Sequence, residues 1–356
     1  MLEGVNFLKY SEILIEWYSE NKRALPWRDT KDPYYIWISE IILQQTRVAQ
    51  GYDYYQRFIM RFPDIKSLAD AEQTEVLKYW QGLGYYSRAR NLHEAAKDIM
   101  TRFQGIFPSN YDDIISLKGI GEYTAAAIVS IVWNQPYPVL DGNVFRVLSR
   151  LFSIETPIDT GKGKKEFINW ANLLISPEYA ALHNQAIMEF GALQCTPQNP
   201  VCDKCPLIND CLGYISGKVR LLPIKQNKTK TRNRYLNYIH IVNKDWTYLQ
   251  RRSNKDIWEG LFEFPLIETE QMLDFEDLQA TEEFRTLFEE TGTQILLKLK
   301  GDIKHVLSHQ VLYVTFYKVE IQNENDFLRK YTKVAISTLD DYPVSRLISS
   351  YLLTQS

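Results

Sequence analysis

Apolar residues recur at helical spacing through about the first 215 positions of the chain and at strand spacing after them. Residues 7–20 put Leu14, Trp17 and Tyr18 on one side of an amphipathic helix. Helical patterns follow at 33–49, 50–61, 73–81, 86–103, 109–117, 122–134, 142–152, 163–175 and 180–193, mostly separated by Gly, Pro or Asp/Asn. Beyond residue 234 the texture is different. YLNYIHIV, WTYLQRR, QILLKLKGDIKHVLS and VLYVTFYKVEI read as strands, and 281–290 and 343–352 as helices. The pattern predicts an all-α region over 1–217 and an α+β domain over 235–356, with no internal repeat. Between them, residues 218–234 hold seven basic residues (Lys218, Arg220, Lys225, Lys228, Lys230, Arg232, Arg234), no acid and one proline. This reads as a basic interdomain linker, either a solvated charge run or a tether attracted to phosphate.

Within the helical region, residues 117–147 stand apart. A helix ends before Lys118, Gly119 and Gly121 make a tight turn, and a second, Ala-rich helix starts at Tyr123-Thr124: a helix-hairpin-helix. Backbone N–H groups aimed out of such a turn suit a phosphate oxygen. After Pro136 and Pro138, Asp141 follows an apolar pair and precedes Gly142-Asn143, as an N-capping residue or as a chemical acid.

Composition narrows the classes. The 356 residues are enough for two cores, and 45% hydrophobic with 24% charged residues is globular usage. A net charge of −3 does not advertise a polyanion partner, so nucleic-acid binding would rest on local patches. The N-terminus carries acids through its apolar run, and no span reaches the ~18 apolar residues of a membrane helix; the expectation is a cytoplasmic protein.

Chemistry is concentrated in two stretches. All four cysteines, Cys195, Cys202, Cys205 and Cys211, fall in a C-x6-C-x2-C-x5-C run. Without a secretory signal disulfides are disfavoured, and four clustered thiolates suit Zn²⁺ or a [4Fe–4S] cluster equally, so spacing leaves the metal open. In DPYYIWISEIILQQTRV (32–48), Glu40 interrupts an apolar run and shares a helix face with Leu43, Gln44 and Arg47. An acid there is costly unless paired, for instance with Arg47, or used. The adjoining Gln44-Gln45-Thr46 can hydrogen-bond base edges or fill a gap in a strand.

LPWR (25–28), SEIILQQTRV (39–48), WQGLGYYSRARNLH (80–93), LKGIGEYTAAAI (117–128), VLDGNVFRVLSRLF (139–152), the cysteine run, WEGLFEFP (258–265) and HVLSH (305–309) together carry a resemblance over nearly the whole chain. The chain resembles the adenine DNA glycosylases of the MutY type, in the helix-hairpin-helix superfamily that includes endonuclease III. The resemblance implies a six-helix barrel with a helix-hairpin-helix plus an iron–sulfur cluster domain, then an α+β Nudix-like domain. It assigns the cysteines to a [4Fe–4S] cluster and places Glu40 and Asp141 across a cleft.

In that family Glu40 matches the acid that protonates adenine at N7, held neutral by burial among Trp37, Ile41 and Leu43. Asp141 matches the carboxylate that stabilises an oxocarbenium-like sugar, as paired carboxylates do in glycoside hydrolysis. Tyr123 and Asn143 match residues that orient these groups. Relatives that also cut the backbone carry lysine where this chain has Tyr123, and a phenol cannot form a Schiff base, so a monofunctional glycosylase is expected. A flipped adenine leaves a gap, which Gln45 and Tyr85 would fill. Arg28, Leu43 and Thr46 would line the pocket or adjoining strand, Gly119 and Gly121 would hold the backbone, and Tyr86 reads as helix-end packing. Arg88 and Arg90 read as a solvated or phosphate-facing helix side.

The C-terminal domain resembles the Nudix-like domain with which this family inspects the opposite strand. Its box, Arg285 to Gly292, has Thr286 where a working hydrolase has glutamate, so nucleotide hydrolysis is not expected. Ser308-His309 match the pair that reads 8-oxoguanine, whose N7 has become an N–H donor that a serine oxygen can accept. Leu307 stands where the family usually has Phe, which removes a ring from that loop. The implied partner is duplex DNA with adenine opposite 8-oxoguanine or guanine, bound by a monomer without a membrane. Other readings are a non-catalytic DNA-binding iron–sulfur protein, or a relative of different base specificity.

Overall fold

In a computed structural model, residues 6–227, 231–253, 256–292 and 295–354 are described, with the backbone alone for 295–302. Two compact units are present: Met1–Asp70 with Asn91–Lys228, and Ala71–Arg90 with Thr229–Ser356. The stretch 71–90 therefore groups with the C-terminal part of the chain. Among the described residues no helix is long and apolar enough to cross a membrane.

The helices in chain order are α1 Leu8–Asn21, α2 Pro33–Leu43, α3 Val48–Arg61, α4 Ile65–Asp70, α5 Gln73–Trp80, α6 Ser87–Arg102, α7 Tyr111–Ser116, α8 Glu122–Trp133, α9 Gly142–Leu151, α10 Gly161–Leu174, α11 Ala180–Leu193 and α12 Leu212–Ile215. Of these only α5 and the start of α6 belong to the second unit. In the first unit α2 packs on α8, and α1, α8 and α9 pack on α11. Leu14, Tyr18, Val144, Leu148, Phe167 and Phe190 meet in one core at these crossings. Helix α2 is buried on nearly every side, as its uninterrupted apolar sequence requires.

The helix expected over 33–49 is two. It stops at Leu43 because Gln45 takes a left-handed backbone (φ 55°), and Arg47 then caps α3. The shared helical face of Glu40 and Arg47 therefore does not exist. The basic linker is also shorter than its charge run. Lys218 pairs with Glu155, and Asp159 accepts the backbone N–H groups of Gln226 and Asn227 at 3.0 and 2.8 Å, which docks 218–227 on the first unit. Arg232 and Arg234 belong to a strand, and residues 228–230 lie outside the described ones.

The second unit is built on a seven-stranded mixed sheet of β1 Arg232–Asn243, β2 Trp246–Arg251, β3 Phe262–Glu263, β4 Leu266–Thr269, β5 Ile295–Val306, β6 Gln310–Glu320 and β7 Thr332–Ala335. β1 and β6 run parallel in the register Arg232↔Gln310, and β5 and β6 form an antiparallel hairpin. Alternation sends Leu236, Tyr238, Leu312, Val314 and Phe316 to one face, where the helix Arg346–Leu352 covers them. Ile239, Ile241, Tyr317 and Val319 face the short helices Phe275–Gln279 and Glu282–Phe288.

Candidate active site

Glu40 sits near the end of α2 and is only 9% exposed. The Tyr123 hydroxyl, from the first turn of α8, is hydrogen-bonded to it and lies 3.2 Å from Met188 Sδ of α11. One residue on, Thr124 accepts a hydrogen bond from Gln44 Nε2 at 3.1 Å, tying the end of α2 to α8. Burial pushes the Glu40 carboxyl up to about 7, against the Tyr123 hydrogen bond and the Arg28 charge and with help from the negative Asp141. The Tyr123 phenol, also raised by burial, stays neutral.

Asp141 is the N-cap of α9 and a neighbour of Glu40 in charge. Its Oδ1 accepts the backbone N–H groups of Asn143 and Val144 at 2.9 and 2.8 Å, and its Oδ2 accepts Asn143 Nδ2 at 2.7 Å. Burial raises this carboxyl, opposed by the Val144 and Asn143 hydrogen bonds and the Arg146 charge. All three donors favour the ionised form. Asn143 is fixed in turn by Arg146, whose Nη2 donates to its Oδ1 at 2.9 Å, and by the close approach of α11: a Cβ on Gly191 would lie 2.6 Å from that of Asn143.

A third buried acid, Glu189 on α11, escaped the sequence reading. At 1% exposure it receives two guanidinium forks. Arg23 donates from Nε and Nη2 at 2.8 and 2.5 Å, and Arg28 from Nη1 and Nη2 at 2.9 and 2.7 Å. Burial would raise its carboxyl, but the two arginines outweigh it and hold it near 2. Arg28, expected beside the adenine, is thus anchored on Glu189 while its charge reaches Glu40. The only hint in the sequence was an acid inside the apolar run AIMEF.

The hairpin joins α7 to α8. Gly119 has φ 79° and a Cβ there would sit 2.6 Å from Asn91 Cβ, so both backbone and space demand glycine. Gly121, the N-cap of α8, has an ordinary φ of −101° and opens onto free space. Leu43 and Thr46 are half-buried and Gln45 is exposed.

The four cysteines form no disulfide and line one cavity together with Arg150. From α9, Arg150 Nη1 lies 3.4 Å from Cys195 Sγ and donates to the Thr196 carbonyl at 2.7 Å; Arg146 Nε donates to the Cys195 carbonyl at 2.7 Å. One helix therefore carries Asp141 at its start and the anchors of the cysteine loop along its length.

The second unit contains the other predicted residues. Tyr85 is 49% exposed with a left-handed backbone (φ 47°), and its hydroxyl is 2.5 Å from Ser308 Oγ, also exposed. Tyr86 is buried and accepts the Gly82 N–H at 3.1 Å. Arg88 and Arg90 are not a solvated side. Arg88 is 8% exposed, lies over the Trp80 and Tyr85 rings and donates to the Gly84 carbonyl. Arg90 grips Glu259 through side chain and carbonyl at 2.8 and 2.6 Å. Both are drawn off the surface by partners in their own unit. Ser308 and His309 sit with Leu307 in the β5–β6 turn, and Leu307, partly buried, packs against the core on one face of the sheet.

Residues 38–172 match the family described as HhH-GPD superfamily base excision DNA repair proteins, and residues 237–354 match the NUDIX domain. The fold agrees. A thermostable thymine-DNA glycosylase of known structure is 26% identical and superposes with a TM-score of 0.56 over 61% of this chain and 100% of its own. The adenine DNA glycosylase of Buchnera aphidicola subsp. Baizongia pistaciae is 37% identical, covering 86% of this chain and 85% of its own, and that of Buchnera aphidicola subsp. Acyrthosiphon pisum is 38% identical over 72% and 73%. The chain belongs to the adenine DNA glycosylases, enzymes of base excision repair that act on DNA.

Proposed function

We propose that the enzyme hydrolyses the N-glycosidic bond of adenine paired with 8-oxoguanine or guanine in duplex DNA, after the adenine has been flipped from the stack. The observation carrying this reading is a pair of buried carboxyls with different partners: burial lifts Glu40 to about 7, while at Asp141 the same burial is opposed by three hydrogen-bond donors. Glu40 gives its proton to adenine N7, the N9–C1′ bond breaks towards the base, and Asp141 faces the positive charge left on the sugar. Water then completes an abasic site, with Tyr123 and Asn143 as orienting groups. Tyr123 offers no amine, so the strand stays uncut. High-yield borohydride trapping of a covalent protein–DNA adduct would defeat that part.

Cys195, Cys202, Cys205 and Cys211, which line one cavity, fit a [4Fe–4S] cluster, whose irons would each take one thiolate. Bound there, it would cross-link the loop that Arg146 and Arg150 fasten to α9. Gln45 and Tyr85, both exposed and both with left-handed backbone, suit the role of gap-filling wedges. Arg28, Leu43 and Thr46 would adjoin the base, and Gly119 and Gly121 the phosphate. Ser308, with His309, would read the oxidised guanine, and the enzyme would work as a monomer. Single-turnover base release from duplexes with adenine opposite 8-oxoguanine, guanine, cytosine and thymine tests the reading. Release should be fastest opposite 8-oxoguanine, then guanine; equal rates opposite all four would refute it.

A further inference from the structure

Arg234 closes the basic run in the sequence, yet on β1 it is 8% exposed and all five of its N–H donors are engaged. Nε and Nη2 donate to Glu268 at 2.6 Å each, and Nη1 and Nη2 to Asp256 at 2.6 and 2.9 Å. The fifth bond runs from Nη1 to Gln310 Oε1 at 3.2 Å. Gln310, 3% exposed, is the first residue of β6 and follows His309 directly. The Leu307 N–H donates to the Gln310 carbonyl at 2.8 Å, and the Arg232 N–H to the His309 carbonyl at 3.2 Å. The three-residue turn 307–309 is thus held from β1 at its base, by the Leu307 side chain in the core, and by Tyr85 at Ser308.

We propose that Arg234 is a positioning residue for discrimination of the opposite base: locked by Asp256 and Glu268, it sets Gln310 and, through it, where Ser308 Oγ stands. This deepens the assignment of Ser308 as reader of 8-oxoguanine and rests on it. Two acids clamp the guanidinium in one orientation, so the fork transmits a direction as well as a charge. Replacing such a buried ion cluster by apolar groups is often neutral for stability, so its value here is in geometry.

Gln310→Met removes the fifth acceptor and leaves the four carboxylate bonds. Single-turnover adenine release is measured on duplexes with adenine opposite 8-oxoguanine and opposite guanine, with thermal unfolding alongside. The preference for 8-oxoguanine falls about fivefold to tenfold, the scale of one misplaced hydrogen bond, while the rate opposite guanine stays within about twofold. Arg234→Lys, which keeps the charge but not the fork, lowers the preference likewise. An unchanged preference in Gln310→Met, or an equal fall on both duplexes, overturns the inference. Ser308→Ala run in parallel separates the two layers. A preference that survives it defeats the reading of Ser308, whereas one lost in Ser308→Ala but kept in Gln310→Met defeats only the role of Arg234.

Discussion

The surroundings of Glu40 and Glu189 start from the same local sequence and end in opposite chemistry. Each acid interrupts an apolar helix, and each is almost wholly buried. Around Glu189 two guanidinium forks fill both oxygens and hold the carboxyl near 2. Around Glu40 stand a phenol and a second carboxyl, and burial lifts it to about 7. Desolvation sets a common penalty and the partners decide its outcome: an acid gripped by cations becomes structure, one without such a grip a proton store near neutrality. Arg28 serves both regions, as an anchor on Glu189 and as a mild brake on Glu40.

The contrast can be broken most forcefully at the chemical step. Glu40→Gln keeps shape and polarity but cannot donate the proton, so single-turnover adenine release should fall by about 10²–10⁴-fold with duplex binding retained. Unchanged release would remove Glu40 from the chemistry. Glu189→Ala should act on the fold instead. It strands Arg23 and Arg28 without their carboxylate, and urea unfolding should register a loss of about 3–5 kcal/mol. A loss below about 1 kcal/mol would mean that the forks are no stronger than a surface pair.

A smaller effect has a sign that separates the two acids. The folded-state value of Glu40 lies above its unfolded value of 4.5, so the folded protein holds the extra proton between the two and loses stability as pH rises through that window. Glu40→Gln should therefore be the more stable protein at pH 8, by about 3 kcal/mol, and the gap should close below pH 4.5. Equal stability at both pH values would place Glu40 among ordinary carboxylates. Smallest is Tyr123→Phe. It removes the hydrogen bond that lowers the Glu40 value, so the alkaline limb of the pH–rate profile should move up by roughly half a unit to one unit. A downward move would contradict the geometry.

Much of this was legible in residue order, and what was missed shares a physical cause. Helical periodicity located the long helices, and strand alternation located β1, β2, β5 and β6; the strands β3, β4 and β7, of two to four residues, are too short to carry a period. Glu40 announced itself as an acid in an apolar run. Glu189 did so equally, but its partners stand some 160 residues away along the chain, and no local pattern encodes such a pairing. Arg88, Arg90 and Arg234 went astray because a basic residue in sequence looks solvated until its partner is found, here the Trp80 and Tyr85 rings, Glu259, and Asp256 with Glu268. The break at Gln45 lay hidden because a left-handed glutamine has no sequence signature. Of the candidate site, Glu40, Tyr123 and Asp141 were nominated by their motifs, while the surroundings that shift the two carboxyls came only from the three-dimensional structure.

Burial should keep Glu40 protonated up to about pH 7, and its titration can be followed directly. Carboxyl signals of the ¹³C-glutamate-labelled protein, compared with those of Glu40→Gln, should reveal one glutamate titrating near pH 7 in the wild type and missing from the variant. A Glu40 signal titrating at its ordinary value of 4.5 would contradict the account.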